Sequence, residues 1–176
     1  MDWAQRFEQQ GLHFSWPELK IGWLGYAKDP FHFTVCLDEA TVVDYAARYL
    51  SQHEDESHSS IWGLGSLLKP YDREEISLLL WQIAKDEEED LLAYYKWRWL
   101  LVNQLVTSCK RATAINGLLE ISEFWLDLHS PPDMPFVYQS RIANVTPKDY
   151  YTPLYFDQVL ADHCEWLEME FHKFKC

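Results

Sequence analysis

The chain has 176 residues, 28 acids against 15 bases and a formal net charge of −13. With 48 % hydrophobic and 16 % aromatic residues it is too apolar for a disordered chain, and its charge repels nucleic-acid phosphates while attracting basic proteins. The length predicts one domain, and nine tryptophans predict a core of large, specifically packed rings.

The first predicted helix is short, about Trp16 to Leu24. Ser15-Trp16-Pro17-Glu18 fits a capping box, with proline at a first-turn position whose amide has no intrahelical partner. Gly25 and the Asp29-Pro30 turn end it. Residues 31–36, FHFTVC, have no evident strand partner and are read as loop. Asp38 or Thr41 caps the next helix, which runs to about Leu50, with Val42, Ala46, Tyr49 and Leu50 recurring at helical steps. SQHEDESHSS is a polar loop. Ile61–Leu68 reads as one or two helical turns that stop before Pro70. Asp72 caps a helix with Ile76, Leu79, Leu80 and Ile83 on its inner face.

Asp86–Ser108, DEEEDLLAYYKWRWLLVNQLVTS, is the stretch around which the rest is expected to fold. Its apolar arc covers roughly 220°, well beyond the ~100° stripe of a surface helix, so it should be buried against several neighbours. The five acids at its start offset the positive end of the helix dipole. Arg98 falls inside the apolar arc and cannot shed its charge, so burial demands a carboxylate or several carbonyls; an ion pair with an acid from another helix is expected, with a place in the lining of a polar pocket as the alternative. Lys110 and Arg111 suit the end of that helix. A further helix covers about Ala112 to Leu128, weakened by Gly117. The prolines of His129–Pro135 break the chain, and residues 136–151 look irregular. Thr152-Pro153 opens a last helix that runs to about Lys173. Val159, Leu160, His163, Trp166, Leu167 and Phe171 face inward; Asp162, Glu165, Glu168 and Glu170 face mainly outward.

Chemistry is sparse. There is no phosphate-cradling glycine loop, nucleophile elbow or H-E-x-x-H. Cys36, Cys109, Cys164 and Cys176 form no C-x-x-C pair, which argues against both a zinc site and a disulfide framework. His53 and His58 bracket acids at a spacing that matches no metal site. His163 and Cys164, adjacent on a helix, point about 100° apart and read as a core histidine and a small buried thiol. His129 with Asp127 and Asp133 is the one arrangement that offers a general base to a small-molecule enzyme, without an accompanying nucleophile or pocket. The polar start, MDWAQRFEQQ, is not a secretory signal, and no apolar run reaches ~18 residues. A cytoplasmic protein with reduced thiols and no cofactor is expected.

The order of features is familiar. D-E-A-T-V-V-D-Y-A at Asp38–Ala46, E-E-I-S-L-L-L at Glu74–Leu80, K-W-R-W-L-L at Lys96–Leu101 and S-P-P-D-M-P-F at Ser130–Phe136 precede a closing amphipathic helix. This pattern resembles a family of small, acidic, all-helical bacterial proteins of unknown function. Some of them look like immunity proteins encoded beside polymorphic or contact-dependent growth inhibition toxins. The resemblance carries over no functional residue.

The expected architecture is a single all-α domain of six to eight helices around the Asp86–Ser108 helix. The expected function is that of an immunity protein, not an enzyme, which binds a basic toxin such as a nuclease and occludes its substrate cleft. Glu54, Asp55, Glu56, Glu87, Glu88 and Glu89 are the acids expected to meet the toxin. No direct contact with nucleic acid or membrane is expected. The small-molecule enzyme around His129 and a non-catalytic helical adaptor are the alternatives.

Overall fold

The computed structural model describes residues 3–34 and 36–174; Cys176 lies outside them, as does Val35 within the 31–36 stretch. The fold is all-α. In chain order the helices are α1 Trp3–Gln9, α2 Trp16–Leu24, α3 Glu39–Gln52, α4 Ser59–Gly65, α5 Arg73–Ile83, α6 Glu87–Cys109, α7 Ala114–Asp127, α8 Pro147–Tyr150 and α9 Pro153–His172. A 3-10 turn covers Gln139–Arg141. Nine helices thus stand among the described residues, in keeping with the about six to eight expected; α1 and the four-residue α8 add to them, since they carry too few turns to declare a period.

The segment read wholly as loop contains a strand. Phe31–Phe33 (β2) pairs with Tyr26–Lys28 (β1) across Asp29-Pro30. The partner comes directly before the turn, and a two-residue connection needs no distant strand. At three residues each, neither strand is long enough to show alternation.

Local chemistry sets the helix starts. The backbone N–H and hydroxyl of Ser15 both donate to Glu18, at 2.9 and 2.6 Å, completing the capping box of α2. Asp38 accepts from the Thr41 amide, Asp72 from those of Glu74 and Glu75, and Thr152 from that of Tyr155. The C-terminus of α7 is closed by His129 and Ser130, both in the left-handed region at φ 59° and 51°, whose amides reach the Leu126 and Trp125 carbonyls.

The chain groups into two compact units: unit 1 is Met1–Tyr26 with Thr34–Lys96, and unit 2 is Ala27–Phe33 with Trp97–Cys176. Helix α6 gives its first half to unit 1 and its second half to unit 2. Unit 1 buries Leu19, Trp23, Val42, Leu64 and Leu80 completely or nearly so. Unit 2 does the same with Trp97, Val102, Leu118, Ile121 and Trp125. Within α6, Tyr94, Trp97, Arg98, Val102, Leu105 and Val106 are buried as the apolar arc requires, whereas Leu92, placed at its flank, is exposed. In unit 2, Gly117 lets α7 meet α9 closely: a Cβ there would strike the ring of Phe156. The glycine that weakens α7 in isolation is what admits that ring.

Candidate functional site

In unit 1 two acidic runs were expected to meet a partner. The first is the loop after α3. Glu54 and Asp55 are exposed there. Glu56 is partly committed to the loop: it accepts from the His58 amide at 2.8 Å and the Tyr49 hydroxyl at 3.3 Å. The His58 amide, with the Tyr49 hydroxyl adding less, holds the Glu56 carboxyl below the usual carboxylate range. His53 is occupied as well, its ring 4.0 Å from that of Tyr49 and its Nδ1 2.9 Å from the Tyr49 carbonyl. Among the described residues no group of three or more His, Cys, Asp or Glu side chains is placed to hold a metal ion.

Next to this loop stands Trp62 of α4, 48 % exposed, whose indole N–H donates to the Glu56 carbonyl at 2.8 Å. The carbonyl fixes the polar edge of the ring and leaves an apolar face toward solvent.

The second run opens α6. Glu87, Glu88 and Glu89 are exposed, but the fifth acid of the stretch behaves differently. Asp90 is 4 % exposed and lies 2.6 Å from the ammonium of Lys20, itself fully buried. Lys20 also donates to the Ala84 carbonyl at 2.5 Å and sits 4.3 Å from the ring centre of Trp81. Trp81 is 51 % exposed, and Leu78, one turn earlier on α5, is 59 % exposed. Each acidic run therefore has a half-exposed tryptophan bound to it, directly at Glu56 and through Lys20 at Asp90.

In the sequence Asp86–Asp90 reads as one run at the helix N-terminus, with Glu87, Glu88 and Glu89 assigned to the partner and Asp90 not set apart as buried. The signal against this was present: Asp90 lies four residues before Tyr94 and seven before Trp97, on the buried face. Lys20 gave a weaker signal, lying four residues after Trp16 and three before Trp23, on the apolar side of α2.

In unit 2, Arg98 finds the acids it needs. Its two terminal nitrogens meet the Asp133 carboxylate at 2.9 and 2.7 Å, and Glu170 lies 3.5 Å away. Glu170 was expected to face mainly outward but is 4 % exposed, because it follows His163 by seven residues and faces the same interior. Lys173 pairs with it too. Asp133, the carboxylate that would orient a catalytic His129, is thus engaged by a guanidinium. The ring of His129 instead lies 4.2 Å from that of His32.

His163 is fully buried and is the core histidine expected. Its Nε2 accepts from the Trp125 indole at 2.9 Å, which leaves Nδ1 to donate to the Val159 carbonyl at 2.7 Å. Burial pulls its pKa below the ordinary histidine value. Cys164 is half-buried, not fully buried. Burial pushes the Cys36 and Cys109 thiols to about 11, which makes them poor nucleophiles at neutral pH.

Among the described residues no helix is long and apolar enough to cross a membrane. No curated protein and no solved structure matches the chain. A family model matches residues 4–171, nearly the whole length. The chain therefore belongs to the family described as "uncharacterized protein conserved in bacteria (DUF2247)".

Proposed function

We propose that this protein is an immunity protein of a contact-dependent growth inhibition or related polymorphic toxin system. It acts in the cytoplasm, without catalysis, by binding a basic toxin. A nuclease fits best, a ribonuclease above all. Carboxylates of unit 1 stand in for nucleic-acid phosphates in the toxin's cationic cleft. The observation that carries this reading is that a half-exposed indole stands at each acidic run, Trp62 bonded to the Glu56 carbonyl and Trp81 reached through Lys20 from Asp90, the buried last acid of the run that holds Glu87–Glu89. Charge brings the partners together quickly, and desolvated aromatic rings hold them. The net charge of −13 gives the long-range field the first step requires.

The test is co-expression with the product of the gene immediately upstream, followed by co-purification at low and high salt. A stable complex that weakens as salt rises is expected. Trp62→Ala or Trp81→Ala should then raise the dissociation rate by about 30-fold or more, the level of a hot-spot anchor. Absence of any complex at low salt would remove the proposal. A complex indifferent to salt would favour an adaptor that binds through apolar helix faces.

A further inference from the structure

Unit 2 contains a cleft that neither acidic run touches. It has a volume of about 440 Å³ and lies between the segment 133–137 and one face of α9. Phe136, Val159 and Trp166 form its buried floor, and Val137 and Met169, 48 % and 56 % exposed, its apolar lip. Among the described residues its charged wall is wholly acidic: Asp133, Asp162 and Glu165 line it, and no basic side chain does. Asp133 is matched by Arg98. Among the described residues Asp162 accepts from Gln158 at 2.8 Å, and Glu165 is exposed. Trp166 adds an independent feature. It is 4 % exposed, and its buried indole N–H meets no acceptor among the described residues. A buried donor left without an acceptor is unfavourable, so a carbonyl brought to it would be bound favourably.

We infer that this cleft receives a lysine- or arginine-bearing segment of a protein partner. The aliphatic stem of the basic side chain lies on Met134, Met169 and the Trp166 ring, and its cationic head meets Asp162 and Glu165. The neighbouring backbone carbonyl of the segment takes the Trp166 N–H. Charge complementarity selects this occupant, since the wall carries two acids, Asp162 and Glu165, that no cation among the described residues claims, beside apolar surface. The inference rests on the reading of a basic partner and extends it to a surface of unit 2.

The probe is tetra-arginine with blocked termini, titrated into the full-length 15N-labelled protein with assigned backbone and indole signals. The expected result is a saturable shift of the Trp166 indole N–H resonance. Asp162→Asn with Glu165→Gln should weaken binding about tenfold, whereas Glu123→Gln, an exposed acid of α7, should change it less than about twofold. Equal, non-saturating shifts at Trp62, Trp81 and Trp166 would mean diffuse counter-ion attraction and would overturn the inference, as would a silent Trp166. The two proposals fail separately. Tetra-arginine bound at Trp166 with no complex from the upstream gene product removes the immunity reading and keeps the cleft. A complex with that product and a silent Trp166 does the reverse.

Discussion

In unit 1 the buried cation is Lys20, a point charge closed in by a carboxylate 5 % exposed, a backbone carbonyl and the Trp81 ring. In unit 2 it is Arg98, a planar fork laid on Asp133, whose carboxylate is 38 % exposed, with Glu170 behind it and the Trp166 ring 5.0 Å away. Both cations are fully buried. They differ in what remains when the cation is removed. Asp90 would stay in the interior without a counter-charge, while Asp133 already reaches water and Glu170 keeps Lys173. The difference teaches that burial of the cation alone does not rank these pairs; the exposure of its acid does.

The sharpest prediction follows from that contrast. Lys20→Met should cost about 3–5 kcal/mol of unfolding free energy, the price of a buried pair broken on one side. Arg98→Met should cost about half as much, measured by the same urea titration at neutral pH. Equal losses would mean that Asp133 is held as tightly as Asp90, and the comparison would fail.

A smaller effect sharpens the account of packing in unit 2. Gly117→Ala should destabilise by about 1–3 kcal/mol because its methyl would strike Phe156, even though alanine favours the helix by about 1 kcal/mol. In unit 1, Gly63→Ala would meet only the end of the flexible Leu79 side chain at 3.3 Å and should leave stability within about 1 kcal/mol. A stabilised Gly117→Ala would show that α7 and α9 have room to spare.

The smallest effect belongs to His163. Burial lowers its pKa in the folded state, so the unfolded chain binds the proton first. The histidine then contributes no pH dependence above about 7, and stability falls as pH drops through the unfolded value near 6.5. The slope is at most about 1.4 kcal/mol per pH unit and flattens below the folded pKa. His163→Gln should abolish the part of the decline that begins near pH 6.5 and leave the carboxylate-driven part at lower pH. An unchanged profile would mean that the folded state tolerates the charged ring.

Much of the fold was readable because its causes are local. Ser15 with Glu18, Asp72 with the amides that follow it, and Thr152-Pro153 act within four residues, so α2, α5 and α9 begin where the sequence indicates. The need of Arg98 for an acid followed from its place in an apolar arc. The identity of that acid did not, since Asp133 comes from a proline-rich loop. Lys20 and Asp90 are 70 positions apart, and local patterning cannot announce such a pairing. It could have separated Asp90 from Glu87–Glu89 and turned Glu170 inward, because both lie at helical spacing from buried rings. The β1–β2 hairpin was hidden by brevity. The candidate site was half legible: composition exposes the acidic runs, but the two indoles beside them emerge only when α4 and α5 are placed.

If Glu54, Asp55, Glu88 and Glu89 serve a partner as proposed, the fold does not need their charges. The direct measurement is the unfolding free energy of the variant Glu54→Gln, Asp55→Asn, Glu88→Gln, Glu89→Gln at low salt. The account predicts a value within about 1 kcal/mol of the parent, as lost helix-dipole support at α6 is offset by relief of like-charge repulsion. A loss of about 3 kcal/mol or more, comparable to that of Lys20→Met, would contradict it.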